Sequence, residues 1–213
     1  MIFKQIPVGQ MQNFSYIIGD ENSHEAVVVD AGWEVDKIID IADKEKLKIT
    51  KIVLTHSHYD HVQKVDELAL KANAVIYSHE LDYNEIIKFI KNNTIKTIKL
   101  KNNDEIKVGS IKIKVIHTPG HAPGAICLLF ENKLLTGDTL FVNAIGRTDL
   151  AGGDAIKLFE SLQKLKKLND NVEVYPGHDY GDVPYSTIGK EKKDNPYFKC
   201  ETKEEFLSLV GLI

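Results

Sequence analysis

Hydrophobic and polar positions alternate in short bursts along most of the chain. Ile2 to Val8, Asn13 to Gly19 and Ala26 to Asp30 read as strands, with Gly19-Asp20-Glu21-Asn22 as a turn. Val27-Val28-Val29 is an unbroken apolar run, the pattern of a strand covered on both faces. Apolar residues then recur at helical spacing (Val35, Ile38, Ile39, Ala42) as far as Lys46, before a short strand at Ile52 to Leu54. A second helix is predicted from near His61 through Val65, Leu68, Ala69 and Ala72, followed by a strand at Ala74 to Tyr77. A third is predicted over Glu80 to Asn92, with Leu81, Ile86, Ile87 and Ile90 as its apolar set.

From Ile95 to Ile116 the alternation predicts antiparallel strands joined by turns at Asn102-Asn103-Asp104 and Gly109-Ser110. Ile126 to Phe130 and Leu134 to Thr136 are expected to pair across Glu131-Asn132-Lys133. A helix over Asp154 to Leu168 should bury Ile156, Phe159, Leu162 and Leu165. Val172 to Tyr175 reads as the last strand, followed by a lysine-rich loop and a short helix from Lys203 to Val210. Strand pairs and strand-helix units occur in both halves of the chain, which suits two packed sheets with helices outside. No repeat or linker interrupts the pattern, so residues 1–213 are read as one α/β domain.

Composition narrows the partners. At 43% hydrophobic and 27% charged residues the chain is of the globular class, and a net charge of -4 gives no electrostatic case for nucleic-acid or acidic-membrane binding. No apolar run approaches the ~20 residues of a membrane span. The N-terminus has no secretory pattern, so a cytoplasmic location is expected. The two cysteines, Cys127 and Cys200, lie outside any Cys-x-x-Cys pattern; Cys127, in an apolar stretch, reads as a small core residue.

The histidines carry the chemistry. Thr55-His56-Ser57-His58-Tyr59-Asp60-His61 places four candidate metal ligands in six residues, where a buried strand gives way to a helix. Imidazole and carboxylate suit zinc, iron or manganese, and burying them together without a metal would carry a large desolvation cost. Thr118-Pro119-Gly120-His121, Thr136-Gly137-Asp138 and Pro176-Gly177-His178 each add one ligand type after a predicted strand. A lone histidine is more often structural, and His79, His117 and His24 are read that way: a structural residue, a supporting loop residue and a solvated one.

These segments, in this order, resemble the metallo-beta-lactamase-fold superfamily over essentially the whole chain. The resemblance implies a four-layer αββα sandwich of two mixed β-sheets and two divalent metal ions, zinc foremost, with iron or manganese as alternatives. By it His56, His58 and His121 would hold one ion, Asp60, His61 and His178 the other, and Asp138 would bridge them. Asp60 and Asp138 would also serve catalysis, Asp60 by orienting the attacking hydroxide.

Within the superfamily, Asp138 as bridging ligand departs from the zinc beta-lactamases. The nucleases carry extra RNA-binding or cap domains, and the flavodiiron proteins a flavin domain, that this chain lacks. Thr136 to Phe141, Gly146 to Leu150, His178-Asp179-Tyr180 and Asn195 to Phe198 resemble both glyoxalase II-type thioesterases and persulfide dioxygenases. The first branch implies hydrolysis of a small-molecule thiol ester of the hydroxyacylglutathione type, with Arg147 and Tyr180 in reach of substrate. Arg147 could equally brace the loop against Asp149. The chain ends 15 residues after Phe198, short of the helical segment that grips glutathione in the longer thioesterases. The dioxygenases usually have Cys where this chain has Ile145. Lactone or phosphodiester hydrolysis on the same fold, and metal binding without catalysis, complete the alternatives.

Overall fold

A computed structural model describes residues 1–212. Its first half builds one sheet: β1 (Ile2–Val8), β2 (Asn13–Gly19), β3 (Glu25–Val29), β4 (Lys48–Val53), β5 (Val75–His79) and β6 (Thr97–Leu100), in that spatial order. β1, β2 and β3 pair antiparallel and β3 to β6 parallel. The parallel strands are linked through α1 (Val35–Lys44), the pair α2 (Tyr59–Val62) and α3 (Val65–Ala72), and α4 (Tyr83–Ile86). The second sheet is built from β7 (Glu105–Val108), β8 (Ile111–His117), β9 (Ile126–Phe130) and β10 (Lys133–Gly137). A small hairpin of β11 (Leu140–Phe141) and β12 (Ala144–Ile145) and the helix α5 (Ala155–Leu165) follow. β13 (Glu173–Pro176) and β14 (Ser186–Thr187) complete the second sheet, in the order β14-β13-β10-β9-β8-β7. The chain closes with α6 (Ile188–Asp194), α7 (Pro196–Lys199) and α8 (Lys203–Leu209).

Three apolar seams hold four layers together. Alternate residues of β3 divide between two of them: Val28 faces Ile38 and Leu68 of the helices, while Val27 and Val29 face Ile113, Val115 and Leu128 of the opposite sheet. On the far side, Cys127, Leu134 and Val174 meet Leu158, Leu162, Phe198 and Phe206. The arrangement is the αββα sandwich, and Cys127 packs as a core residue. Among the described residues, no helix is long and apolar enough to cross a membrane.

Several sequence expectations need correction. The helix over Glu80 to Asn92 is only α4 followed by a 3-10 turn at Ile87–Phe89, and Leu81 and Ile87 are exposed. Asp82 turns inward instead of joining a helix, and Asp66 Oδ1 takes the Lys91 and Asn92 amides at the far end. Asn102-Asn103-Asp104 is not a hairpin turn, because β6 pairs with β5 in the first sheet and β7 starts the second. Ile156 is exposed; the buried face of α5 is Ala155, Leu158, Phe159, Leu162 and Leu165. The lysine-rich stretch is not a loop: it contains α6 and α7, and β14 precedes them as a further strand after β13.

The two sheets are pinned together at one end of the sandwich. The Phe14 amide donates to Gly177 O at 2.8 Å and the Ile126 amide to Thr55 O at 2.9 Å. The loops after β4, β8, β10 and β13 open at this end.

Candidate metal centre

Each of the four loops carries ligand-type side chains to the same place. The segment after β4 supplies His56, His58, Asp60 and His61, with His58 preceding the first turn of α2 and Asp60 and His61 on it. The segment after β8 supplies His121. It is held by α5, whose Asp154 amide donates to Gly120 O at 2.7 Å and whose Ser161 hydroxyl donates to Pro119 O at 2.7 Å. Asp138 follows β10 and His178 follows β13.

Three overlapping groups result, each with its nitrogen and oxygen atoms within 4.8 Å of one another: His56, His58 and His121; His56, His61 and Asp138; Asp60, His61 and His178. His58 Nδ1 lies 2.8 Å from His121 Nε2, and His61 Nε2 lies 3.2 Å from His178 Nε2. Asp138 Oδ2 stands 3.5 Å from His121 Nε2 and 3.2 Å from His178 Nε2, so one carboxylate reaches both outer groups. All seven residues named from the sequence are thus brought together.

The outward ring nitrogens show which atoms are left for a metal. His56 Nδ1 is 3.0 Å from the Thr55 hydroxyl, which itself donates to Asp30 Oδ2 at 2.8 Å. His61 Nδ1 is 2.8 Å from Asp30 Oδ2, His121 Nδ1 2.8 Å from Arg147 O, and His178 Nδ1 2.8 Å from Met11 O. An acceptor on Nδ1 fixes the proton there and leaves the Nε2 lone pair facing inward, the usual support of a metal-bound imidazole. His56 Nε2 and Asp138 Oδ1 are buried with no hydrogen-bond partner, a costly state for polar atoms unless an ion takes them. The residues fit a metal centre.

Electrostatics divide the centre into unlike halves. Burial and neighbouring imidazoles push His56 well below the ordinary histidine pKa, and burial takes His58 down to about 4; both are neutral lone-pair donors at neutral pH. His61 and His178 lie between carboxylates. Against the lowering effect of burial, Asp138 and Asp30 raise His61, and Asp138 and Asp60 raise His178 to about 9. Burial opposes ionisation of Asp60 and Asp138, but His178 and His61 hold both carboxyls below the usual carboxylate range.

Sequence reading missed the residues that hold this arrangement. Asp30 takes the Thr55 amide and hydroxyl as well as His61; its place at a strand end, before Ala31-Gly32, was the available signal. Asn13 donates to Asp60 Oδ2 at 2.8 Å and accepts from Trp33 Nε1 at 3.0 Å. Asp82 takes the amides of Ser57 and Gly124. Gly146 must be glycine, since a Cβ there would meet Asp138 O at 1.8 Å.

The two substrate candidates lie at the mouth. Tyr180 stacks on His178, ring centroids 4.5 Å apart, and is half exposed. The Arg147 guanidinium is tied to Asp149 through two hydrogen bonds of 2.6 Å, while its carbonyl supports His121. Both border a recess of about 540 Å³ above the ligand groups, walled by Met11, Tyr59, Phe141, Ile145 and Leu150. Of the other histidines, His117 stacks on buried His79 at 4.0 Å between ring centroids, and His24 is exposed.

Comparison with known proteins shows the family. Residues 8–178 match the family described as the metallo-beta-lactamase superfamily. The chain is 37% identical over 198 residues to the probable polyketide biosynthesis zinc-dependent hydrolase PksB of Bacillus subtilis (strain 168), covering 92% of this chain and 85% of the relative. It is 34% identical over 173 residues to a hydroxyacylglutathione hydrolase of Francisella tularensis subsp. novicida (strain U112), covering 80% of this chain and 64% of that protein. The crystal structure of ETHE1 from Myxococcus xanthus superposes with a TM-score of 0.88 at 31% identity, covering 99% of this chain and 90% of that one.

Proposed function

The chain belongs to the metallo-beta-lactamase superfamily and is a metal-dependent hydrolase; from that premise we propose that it works with two divalent ions and cleaves small-molecule thioesters. His56, His58 and His121 would hold one ion, Asp60, His61 and His178 the other, with Asp138 shared. Zinc is the first choice, as in the name of the PksB relative, and iron and manganese accept the same donors. When bound, such a pair supplies Lewis acidity for a carbonyl oxygen and a water acidified to a pKa of about 7.

The wall of the recess carries the thioester reading. Apart from the ligand set its polar side chains are Tyr59, Tyr180 and Arg147, and Arg147 is committed to Asp149. Apart from the ligand set, the described residues of the wall offer only the weakly acidic phenols of Tyr59 and Tyr180 to protonate a leaving group. An alkoxide leaving from a lactone needs that proton, whereas a thiol, with a pKa of about 8.5, leaves as the thiolate. A phosphodiester would also call for unpaired cations along the wall. Met11, Phe141, Ile145 and Leu150 instead suit an apolar acyl group beside the ligand set. Asp60, fixed by the Asn13 amide, is placed to orient the attacking water.

A thiol-release assay on protein of counted metal content tests the proposal. Thioester cleavage that rises with metal loading supports it, and no cleavage by fully loaded protein rejects it. The second reading is a persulfide dioxygenase with one ferrous ion on His56 or His58, His121 and Asp138. It is favoured by the histidine-only group itself, with His58 Nδ1 and His121 Nε2 2.8 Å apart and His56 beside them, which can take an ion by itself. Oxygen uptake with a persulfide would select it over the thioesterase.

A further inference from the structure

The recess above the ligand groups does not stand alone. A second one, of about 490 Å³, shares Ile145, Gly146 and Arg147 with it and is closed on the other side by Tyr197, Leu209 and Leu212 near the chain's end. The two recesses thus adjoin at Ile145, Gly146 and Arg147, one beside Asp138 and the other beside α8. A thioester at the ligand groups has two arms, and with the acyl arm among Met11, Phe141 and Leu150 the thiol arm can extend over Gly146 and Arg147. The second recess is where the thiol carrier would lie.

The charges along that second recess decide what it accepts. Among the described residues its ionised side chains are Arg147 and Asp149, joined to each other by two hydrogen bonds of 2.6 Å. They sum to zero, and the rest of the wall is Thr148, a tyrosine and aliphatic residues. Glutathione carries two carboxylates and one ammonium at neutral pH, a net charge of about -1. A glutathione carboxylate there would meet only the outer N–H groups of a guanidinium already shared with Asp149, beside the Asp149 charge and against leucines, which is unfavourable. A neutral arm of amides and methylenes meets neither obstacle: its methylenes match the leucines, and its amides can bond to the Thr148 hydroxyl and the solvent-facing edge of the ion pair.

We infer that the Arg147–Asp149 pair is a specificity device, and that the substrate is the thioester of a neutral, amide-linked thiol arm of the pantetheine type in preference to glutathione. The inference rests on the thioester reading. One acyl group is therefore presented on pantetheine and on glutathione, and kcat/KM is compared on the metal-loaded enzyme. The pantetheine ester should be favoured by about 10-fold or more. Asp149→Asn, which frees Arg147, should narrow that ratio by about 3- to 5-fold, the range of an exposed ion pair, and the narrowing should fade with added salt. Arg147→Gln, which leaves Asp149 unopposed, should widen it. Equal rates, a preference for glutathione, or a ratio unmoved in both variants would overturn the inference while the thioesterase reading stands.

Binding of the S-methyl thioethers of pantetheine and glutathione, followed by NMR shifts of the Leu209 and Leu212 methyls, gives the same comparison without turnover. Pantetheine thioether binding the tighter supports the inference even for a variant too unstable to assay, and tighter glutathione thioether binding overturns it. Cleavage of neither ester would reject the thioesterase reading itself.

Discussion

Asp82 lies outside the ligand set yet clasps two of its loops, and its replacement should damage one half of the metal centre selectively. Its carboxylate is 2% exposed. Oδ2 accepts the Ser57 amide at 2.9 Å and Oδ1 the Gly124 amide at 2.6 Å. Ser57 stands between His56 and His58, and Gly124 is in the loop of His121, so one side chain ties together the three histidines of one candidate site. The fit is close: a Cβ on Gly124 would lie 2.6 Å from Asp82 Cγ.

Asp82→Ala strands two buried amides, at about 1–3 kcal/mol each, so about 2–6 kcal/mol of stability is at stake. Asp82→Asn retains one acceptor oxygen and should lose about half of that. For the metal, removal of such a supporting contact typically costs about 10–100-fold in affinity. The loss should fall on the His56, His58 and His121 group, because Asp60, His61 and His178 are held by Asn13, Asp30 and Met11 O. Chelator competition with cobalt as a spectroscopic probe resolves the two sites, and urea melts give the stability. Equal weakening of both sites, or unchanged affinity at the histidine-only site, would refute the reasoning.

Other predictions follow from the same geometry. Asp138→Ala should remove most activity and loosen both ions, checked by metal analysis alongside rate; full metal content at the original rate would contradict it. His178→Ala should lower metal content from two ions to one and spare the histidine-only site. In the metal-free protein, His178 at about 9 sits above the ordinary value of 6.5. Its ion pairs with Asp138 and Asp60 therefore contribute fully below about pH 6.5 and are lost as pH rises through about 9. The metal-free stability gap between wild type and His178→Gln should shrink over that range. Metal-loaded protein should for the same reason lose the ion at Asp60, His61 and His178 first on acidification, since protons compete there and not at His56. Phe206→Ala, emptying a fully buried site under α5, should cost about 3–5 kcal/mol and lower Tm by about 6–20 °C without altering metal affinity.

The ligands were legible in the sequence because their chemistry is carried by residue type and local spacing: His56 to His61 lie within six positions, and each further ligand follows a strand whose alternation is plain. The sandwich was legible for a similar reason, since β3 shows its double burial in three consecutive valines. What escaped notice depends on contacts between distant segments. Asp82 reads as one more polar residue in a helical stretch until Gly124, 42 residues later, is brought against it. That inward turn is also why the expected helix over Glu80 to Asn92 starts only at Tyr83. Strand alternation does not reveal which sheet a strand joins, so the β6-to-β7 segment has the pattern of a hairpin although its strands belong to different sheets. Arg147 shows the same limit: its chemistry could be read as brace or contact, and only the fold shows its guanidinium held by Asp149 and its carbonyl supporting His121.

The central claim is that two ions, held as His56–His58–His121 and Asp60–His61–His178 with Asp138 between them, hydrolyse a thioester. Steady-state hydrolysis of a neutral acyl thioester, measured as metal is added stepwise to metal-free protein, tests it most directly. The account predicts kcat/KM above about 10⁴ M⁻¹s⁻¹, appearing as the second equivalent binds. Negligible turnover with both equivalents bound would contradict it, as would full activity at one equivalent of iron accompanied by oxygen uptake on a persulfide.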